Sequence, residues 1–385
     1  MNHEFDKVNQ TSEYQRQIFE EICRPQPIVI AAEGGPCGGK TTLINEIKLL
    51  SQEQTKNFVL IPEIATAEIG KLLNAGISIE NFFSYQPSYL EFQKHILNKI
   101  VLNIQDAKEK YAGTNSIIVV DRADIKPYLN EEQYDQILLE LGLEQSPLIS
   151  LVDKVVYLPT VAKISSEVYE ALLSTNPSRY ESTAQAIDTC NRNLKIASIN
   201  PEFSIYSSPN FKDKISDALF DIFHHEIEKE SKFIPNYPID INQTLEIIDS
   251  SSNEYLNSMD IYQSYHEIAG QKFRLRHGVV DNKHVFYHFA LKSGNNGDTR
   301  QEIHRNLSKD LYNQLYEINC IKELHKIRSR FIYEFQNKEY ILCLDYYDQI
   351  NKTIVEIEGM GQELAKQVNI KGFSLGSLST EELVQ

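Results

Sequence analysis

The sequence predicts an α/β domain with a parallel sheet, followed by an antiparallel β-barrel. In the first part of the 385-residue chain, short apolar runs alternate with helical patterns, an order typical of a parallel sheet covered on both faces. A glycine-rich loop directly after the first apolar run fits the same class. Near His224 the pattern changes to strands whose side chains alternate between two faces. We therefore expect one domain at residues 1–223 and a second at residues 224–385.

Each element of the first domain follows from its local pattern. Tyr14, Ile18 and Ile22 have helical spacing, and two prolines end this helix. A longer helical pattern covers residues 88–110. Strands are predicted at the five apolar runs, residues 28–32, 58–61, 117–120, 155–158 and 203–206. Because ligands bind at the carboxyl ends of parallel strands, the residues that follow these runs are candidate site residues.

The loop after the first predicted strand carries a phosphate-binding pattern. From Gly34 to Thr41 the spacing is G-x-x-x-x-G-K-T, which predicts a P-loop NTPase fold. Glycines let backbone N–H groups approach phosphate oxygens, and the helix N-terminus adds positive charge. We expect Lys40 to reach the β- and γ-phosphates of ATP or GTP, and the Thr41 hydroxyl to hold Mg²⁺. The nucleotide-binding residues expected here are Gly34, Gly35, Gly38, Gly39, Lys40, Thr41 and Thr42.

Two carboxylates and a lid segment are candidates for the chemistry. Asp121 follows the third predicted strand, where a P-loop protein orients Mg²⁺ or its water. Glu63 follows the second strand and is either a general base for a substrate hydroxyl or a cap of the next helix. Residues 175–192 stand where a lid would cover the phosphates. Either Arg179 or Arg192 supplies positive charge from that lid, or both are surface arginines.

These motifs resemble P-loop kinases of the nicotinamide riboside kinase and deoxynucleoside kinase type, and most of all an AAA-like group of ATP/GTP-binding domains. The resemblance covers about residues 25–223 and is carried by GGPCGGKTT, the glutamate after the second strand, DRAD and RYES…R. It implies catalytic roles for Glu63, Asp121 and Arg122. The Ala-Asp pair that ends DRAD departs from the serine common in the nucleoside kinases, which leaves the phosphoryl acceptor open.

The second half of the sequence contains strands whose charges share one face. Since side chains alternate along a strand, Glu228, Glu230 and Lys232 lie on one face. Other strands place like charges on one face in the same way: Arg274 with Arg276, Lys326 with Arg328 and Arg330, and Glu356 with Glu358. Like charges on an isolated strand repel each other. We expect basic strands to converge on a polyanion and acidic strands on its metal; the alternative is a barrel whose charges face solvent.

The ordered set of charges resembles the CYTH or triphosphate-tunnel family over about residues 225–385. The resemblance implies a β-barrel tunnel that binds a triphosphate compound with divalent metal. The implied phosphate-binding residues are Lys232, Arg274, Arg276, Lys292, Arg300, Lys326 and Arg328, and the implied metal ligands are Glu228, Glu230, Glu356 and Glu358. Asp345 matches an acidic position after a later strand. His304 stands where the family often has a glutamate, so one metal-side carboxylate is missing.

Composition restricts the partners and the compartment. The sequence has 41% apolar and 24% charged residues, as in ordinary soluble proteins, and no apolar run approaches the roughly 20 residues of a membrane span. Five separate cysteines without a C-x-x-C pair indicate reduced thiols in a cytoplasmic protein. A net charge of −16 argues against a broad nucleic-acid surface, so a polyanion needs a local basic pocket.

The sequence leaves three functions open. A P-loop domain joined to a CYTH domain resembles ATP/GTP-binding proteins of the TRPL-translocation-defect type, for which nucleotide binding and slow hydrolysis are implied. In the first function, the P-loop domain is a kinase or NTPase that acts on ATP or GTP with Mg²⁺. In the second, the tunnel is a triphosphatase. In the third, the chain is a nucleotide-switched sensor whose tunnel binds a phosphorylated signal or a phosphoinositide headgroup.

Overall fold

The computed structural model describes residues 13–52, 57–174, 182–225, 227–228, 230–236, 241–249, 253–293 and 300–376. Contacts divide the chain into two units. The α/β unit comprises residues 26–225 and 332–341, and the barrel unit comprises residues 1–25, 226–331 and 342–385. The domain boundaries expected from the sequence, residues 1–223 and 224–385, remain a prediction.

The first part of the chain contains ten α-helices and five strands within its described residues. In chain order these are α1 (Glu13–Cys23), β1 (Ile28–Gly34), α2 (Lys40–Ser51), β2 (Phe58–Ile61), α3 (Ile64–Asn74), α4 (Ile79–Ser84), α5 (Gln86–Lys110), β3 (Ile117–Asp121), α6 (Glu131–Glu140), α7 (Pro147–Ser150), β4 (Lys154–Leu158), α8 (Ser166–Ser174), α9 (Thr183–Ala197), β5 (Phe203–Ile205) and α10 (Phe211–Phe223).

Apolar residues buried on both faces explain the parallel sheet of the α/β unit. Its strands are parallel in the order β2-β3-β1-β4-β5. Every residue of the central strand β1 is buried, as expected for a strand covered on both sides. Helices α2 and α10 contribute Leu43, Ile47, Ile215 and Ala218 to the core on this sheet. The five predicted strands and the α/β class are confirmed.

The strand register brings the candidate residues to one edge of this sheet. Ala32 near the end of β1 pairs with Asp121 of β3, and Gly34 pairs with Leu158 at the end of β4. Since all the strands run in the same direction, the loops that follow β1, β2, β3 and β4 lie at this edge. The glycine-rich loop is one of them.

The second part of the chain is mostly β-strand. In chain order its elements are β6 (Ile227–Glu228), β7 (Glu230–Pro235), α11 (Ile241–Asp249), β8 (Glu254–Ile268), β9 (Gln271–Val280), β10 (His284–Ser293), β11 (Arg300–Asn306), α12 (Lys309–Tyr316), β12 (Cys320–Phe335), β13 (Lys338–Tyr347), β14 (Lys352–Glu358), α13 (Gln362–Ala365) and β15 (Phe373–Leu375).

The second sheet closes on itself. Its strand order is β15-β7-β14-β13-β12-β8-β9-β10-β11-β6. Strands β6 and β7 are separated by residue 229 alone, yet β6 pairs with β11 and β7 pairs with β14, both antiparallel. One stretch of chain therefore joins β6, the strand at one end of the sheet, to β7, the second strand from the other end. The predicted antiparallel barrel is confirmed.

Helices α1 and α12 cover one outer side of the barrel. Ile18, Phe19 and Ile22 of α1 share an apolar core with Phe273 and Leu275 of β9. The Phe19 and Phe273 rings lie 5.2 Å apart between centroids. Because β9 alternates, the arginines on either side of Leu275 point to the opposite face, the interior of the barrel.

Within the described residues, no helix combines the length and the apolar character needed to cross a bilayer.

Candidate phosphate-binding sites

The loop between β1 and α2 fits only glycine at several positions. A Cβ atom at Gly34 would lie 2.2 Å from the carbonyl oxygen of Leu158, and one at Gly38 would lie 2.4 Å from the same oxygen. Gly34 and Gly39 also have φ angles of 153° and 105°, a region that side chains disfavour. The loop backbone is therefore packed directly on the end of β4.

Helix α2 begins at this loop without a side-chain cap. Its N-cap residue is Gly39, and no side chain accepts a hydrogen bond from the first turn. Thr41 in that turn is exposed and Thr42 is half-buried. Uncapped N–H groups and the positive end of the helix dipole together suit an anion such as phosphate.

Lys40 lies among opposing charges. Its Nζ donates to the carbonyl oxygen of the first loop glycine at 3.3 Å. Burial lowers the pKa of Lys40, and the positive charge of Arg122 acts in the same direction. Three carboxylates oppose this lowering: Asp121, Glu33 and Glu63. The ammonium group therefore has an anionic surrounding before any phosphate binds.

Asp121 ends β3 with one oxygen atom open to a ligand. Its Oδ1 is buried and accepts no hydrogen bond from the described residues. Burial raises the pKa of this carboxyl, and Lys40 lowers it. A carboxylate oxygen and the Thr41 hydroxyl are hard oxygen donors of the kind that Mg²⁺ prefers. The residues present thus fit a magnesium ion.

Glu63 contacts Arg122 instead of capping α3. It occupies the N-cap position of α3, but its side chain accepts no backbone hydrogen bond there. Its Oε1 lies 3.3 Å from Nε of Arg122, and its Oε2 accepts a hydrogen bond from the Thr66 hydroxyl at 2.9 Å. The Arg122 guanidinium also lies 5.0 Å from the centre of the Tyr128 ring. Of the two alternatives for Glu63, the cap hydrogen bond is not formed.

Of the two candidate arginines in the lid segment, the structure describes only Arg192. Arg179 lies outside the described residues. Arg192 is exposed on α9, and its Nε lies 3.3 Å from Oδ2 of Asp188. This exposed pair matches the surface alternative for Arg192.

Two buried acids near this edge of the sheet were not singled out as site residues from the sequence. Glu33, the last residue before the glycine loop, accepts a hydrogen bond from the Ala123 N–H at 2.7 Å. Asp124 is 2% exposed and accepts hydrogen bonds from the Tyr134 hydroxyl at 2.7 Å and from Ser146. For Glu33, the available signal was a charged residue within an apolar strand, because such a residue needs a buried partner.

A cavity of about 570 Å³ lies between helices α3, α4 and α5. Its walls include Leu72, Phe82 and Phe92, and its polar side includes Glu68 and His95. Hydrogen bonds from lysines of α3 and α5 lower the pKa of Glu68 to about 2. Apolar walls with a fixed carboxylate suit an aromatic molecule that has a polar edge.

In the barrel, Arg328 is bound by three acids. Its Nε and Nη2 donate to the two oxygens of Asp345 at 2.6 and 2.7 Å. It also contacts Glu356, and its Nη1 lies 3.2 Å from Glu358. Lys326 donates to Asp345 at 2.5 Å. Asp345 is fully buried within β13, so its expected position after a strand is wrong.

Three glutamates of the barrel form a cluster that suits a cation. Carboxylate oxygens of Glu230, Glu356 and Glu358 all lie within 4.8 Å of one another. The register explains this, since Glu358 pairs with Glu230 across β14 and β7. Burial raises the pKa of Glu356, but the positive charges of Arg328 and Lys232 outweigh it and hold that pKa well below its usual range. Glu356 therefore stays ionised at neutral pH.

The other predicted tunnel residues lie on strands β6, β9, β10 and β11. Arg274 is buried and Arg276 is half-buried on β9. Glu228 of β6 and Arg300 of β11 pair in register. Side chains of Glu228, Lys292 and Arg300 fall outside the described part of the chain.

No family model and no curated protein matches the chain. Among solved structures, a conserved hypothetical protein from Pyrococcus furiosus is 18% identical, with 41% of this chain and 99% of its own covered, at a TM-score of 0.30. The inorganic triphosphatase NE1496 is 17% identical, with 40% and 92% covered, at a TM-score of 0.26. A thymidylate kinase from Ehrlichia chaffeensis is 17% identical, with 52% and 98% covered, at a TM-score of 0.31. At such low scores, only the chain's own strands and contacts describe its fold and sites.

Proposed function

We propose that this protein binds ATP or GTP with Mg²⁺ at the β1–α2 loop and transfers or hydrolyses the γ-phosphate. The main support is the glycine loop, which packs on Leu158. The uncapped start of α2 lies beside this loop, and Lys40 lies among carboxylates. Backbone N–H groups with a nearby lysine are the parts that hold the phosphates of a nucleotide.

Each residue of this edge has a defined role in the proposal. Lys40 holds the β- and γ-phosphates, and Thr41 and Asp121 would hold Mg²⁺, which when bound neutralises developing phosphate charge. Glu63 takes the proton of the attacking hydroxyl, and Arg122 orients Glu63 through their 3.3 Å contact. Arg179 adds positive charge from the lid.

We assign the phosphoryl acceptor to the cavity between α3, α4 and α5. Helix α3 begins one residue after Glu63, so the general base and Glu68 of the cavity belong to the same short segment. We propose that an acceptor with an aromatic part occupies the cavity and presents a hydroxyl to Glu63.

A second function is supported in the barrel, which we propose to be a CYTH-like tunnel in the same cytoplasmic chain. Inside a closed sheet, Arg328 contacts Glu356 and Glu358 of the three-glutamate cluster and shares Asp345 with Lys326. Such a set suits a triphosphate or another phosphorylated ligand with its divalent metal. The ligand is either hydrolysed there or only bound, as in a sensor of phosphorylated signals or phosphoinositide headgroups.

Product analysis with ATP, GTP and inorganic triphosphate tests both sites. We expect Lys40→Ala to abolish nucleotide turnover, because it removes the ammonium group that holds the β- and γ-phosphates. Lys48→Ala is the matched control, since Lys48 is exposed on the same helix. Glu230→Gln combined with Glu358→Gln tests the tunnel cluster.

The outcomes separate the functions. Turnover lost only in Lys40→Ala supports the P-loop enzyme, and turnover lost only in the glutamate pair makes the tunnel the catalytic site. Triphosphate binding to the tunnel without turnover there supports a sensor. Unchanged nucleotide turnover and binding in Lys40→Ala would contradict the P-loop proposal.

A further inference from the structure

Glu33 is a buried acid that the roles assigned so far do not use. It stands on β1 directly before the glycine loop and is 7% exposed. Its Oε1 accepts the Ala123 N–H at 2.7 Å, across 90 residues of sequence. An acid is placed in an otherwise apolar strand only where a partner offsets the loss of its hydration.

The hydrogen bond of Glu33 fixes the turn that carries Arg122. Arg122 has a φ angle of 70°, which a residue with a side chain adopts only when its surroundings hold it there. The Arg122 N–H donates to Ala32 at 3.3 Å, and the next N–H donates to Glu33. Two successive N–H groups of the turn are thus bound by two successive residues of β1.

This turn decides the direction of the Arg122 side chain. The guanidinium reaches Glu63 at 3.3 Å and lies over the Tyr128 ring. A change in the backbone of the turn would move Nε of Arg122 away from Glu63. Glu33 can therefore act on Glu63 through the turn.

The charges around Glu33 support the same assignment. Burial raises the pKa of Glu33 to about 7, and Arg122 and the bond from Ala123 oppose this rise. Lys40 opposes it as well, so Glu33 lies within the electrostatic field of the phosphate loop. Whether Glu33 is protonated or ionised, its side chain has an oxygen that can accept the hydrogen bond from the Ala123 N–H.

We propose that Glu33 is a positioning residue, which holds the Arg122 turn and thereby orients Glu63 toward the phosphoryl acceptor. This inference rests on the proposed P-loop function. It predicts that the hydrogen-bond acceptor at position 33 matters more than its charge.

Three variants of Glu33 and one matched control test the proposal. Glu33→Gln keeps an acceptor oxygen, whereas Glu33→Ala removes it and Glu33→Asp withdraws it by one methylene. Asp153→Ala is the control, because Asp153 is also 7% exposed and accepts a backbone N–H of β1, that of Val29 at 2.8 Å. Hydrogen–deuterium exchange of residues 119–126 without nucleotide reports the turn, and kcat and KM report the reaction.

We expect faster exchange at Ala123 and a kcat about 100-fold lower in Glu33→Ala and Glu33→Asp, with nucleotide KM little changed. Glu33→Gln should retain slow exchange and most of kcat. Asp153→Ala should lower stability without changing kcat. Should Glu33→Ala fail to fold, Glu33→Asp against Glu33→Gln gives the same comparison.

Two results would overturn the inference. One is unchanged exchange at Ala123 in Glu33→Asp; the other is an active Glu33→Asp beside an inactive Glu33→Gln, which would show that charge, not the hydrogen bond, is needed. A wild-type protein without Lys40-dependent nucleotide binding would instead refute the proposed function, and the exchange data would still decide whether Glu33 holds the turn.

Discussion

Two buried cations of the barrel, Arg328 and Lys326, share the carboxylate of Asp345. Arg328 meets Asp345, Glu356 and Glu358, and Lys326 meets the same Asp345. Burial lowers the pKa of Lys326 to about 8. Because a buried charge without its partner is strongly unfavourable, Asp345 is central to the stability of this group.

We predict that Asp345→Ala lowers the free energy of unfolding by about 3–5 kcal/mol, because it leaves two buried cations short of a carboxylate. Denaturant unfolding measures the change. Glu334→Ala is the control, since Glu334 is exposed on the same strand as Arg328. A loss in Asp345→Ala no larger than that of the control would contradict the prediction.

His325 offers a pH-dependent contribution to stability. Its Nε2 lies 2.5 Å from Asp260 and its Nδ1 lies 2.8 Å from Asp348, while its ring stacks on Tyr262. Burial lowers the pKa of His325, but hydrogen bonds to the two aspartates outweigh it and raise that pKa above its ordinary 6.5. The protonated ring is thus favoured in the folded state.

We predict that this contribution is full below pH 6.5, the ordinary value, and is lost as the pH rises through the raised pKa of the folded state. The unfolding free energy of wild type minus that of His325→Gln should therefore fall between mildly acidic and mildly alkaline pH. A difference that is constant across this range would exclude the effect.

At the scale of elements, the β1–α2 loop is restricted by its contact with β4. The Cβ positions of Gly34 and Gly38 both point at the Leu158 carbonyl, a backbone atom that side-chain rotation cannot move. By contrast, a Cβ at Gly70 within α3 would meet no atom within 4 Å. We therefore expect replacement by alanine to have opposite effects on stability at Gly38 and at Gly70.

We predict that Gly38→Ala abolishes nucleotide binding and lowers Tm, because the loop must move off β4. Gly70→Ala should raise stability by up to about 1 kcal/mol, since alanine is the better helix former. Nucleotide titration and thermal unfolding of both variants measure this. Normal binding by Gly38→Ala would show that the loop tolerates a Cβ.

At the scale of the whole chain, the barrel unit uses segments from far apart in the sequence. Helix α1 precedes the entire parallel sheet, yet Phe19 packs on Phe273 and Phe289 with ring centroids 5.2 and 6.1 Å apart. Contacts of such separation form only after long loops close, which slows folding.

We predict that Phe19→Ala destabilises the barrel unit by about 3–5 kcal/mol, the range for deleting a buried aromatic ring. Hydrogen–deuterium exchange in residues 271–291 should become faster, and denaturant unfolding gives the magnitude. Tyr14→Ala is the control, because Tyr14 is 59% exposed on the same helix. Equal effects of the two variants would contradict this account.

The sequence alone determined the features that depend on local patterns. Apolar runs predicted all five parallel strands, and the glycine spacing located the loop after β1. Strand alternation predicted that Arg274 and Arg276 share one face and that Glu356 and Glu358 share another. These predictions succeeded because burial and alternation follow from neighbouring residues along one element.

Only the tertiary structure decided which distant residues meet. The contact of Glu63 with Arg122, the bond from Ala123 to Glu33 and the position of Asp345 under two cations are examples. The same holds for α1, whose helical pattern shows an apolar face but not the strands that cover it. Long-range partners depend on how sheets close and pack, and no spacing within one segment specifies that.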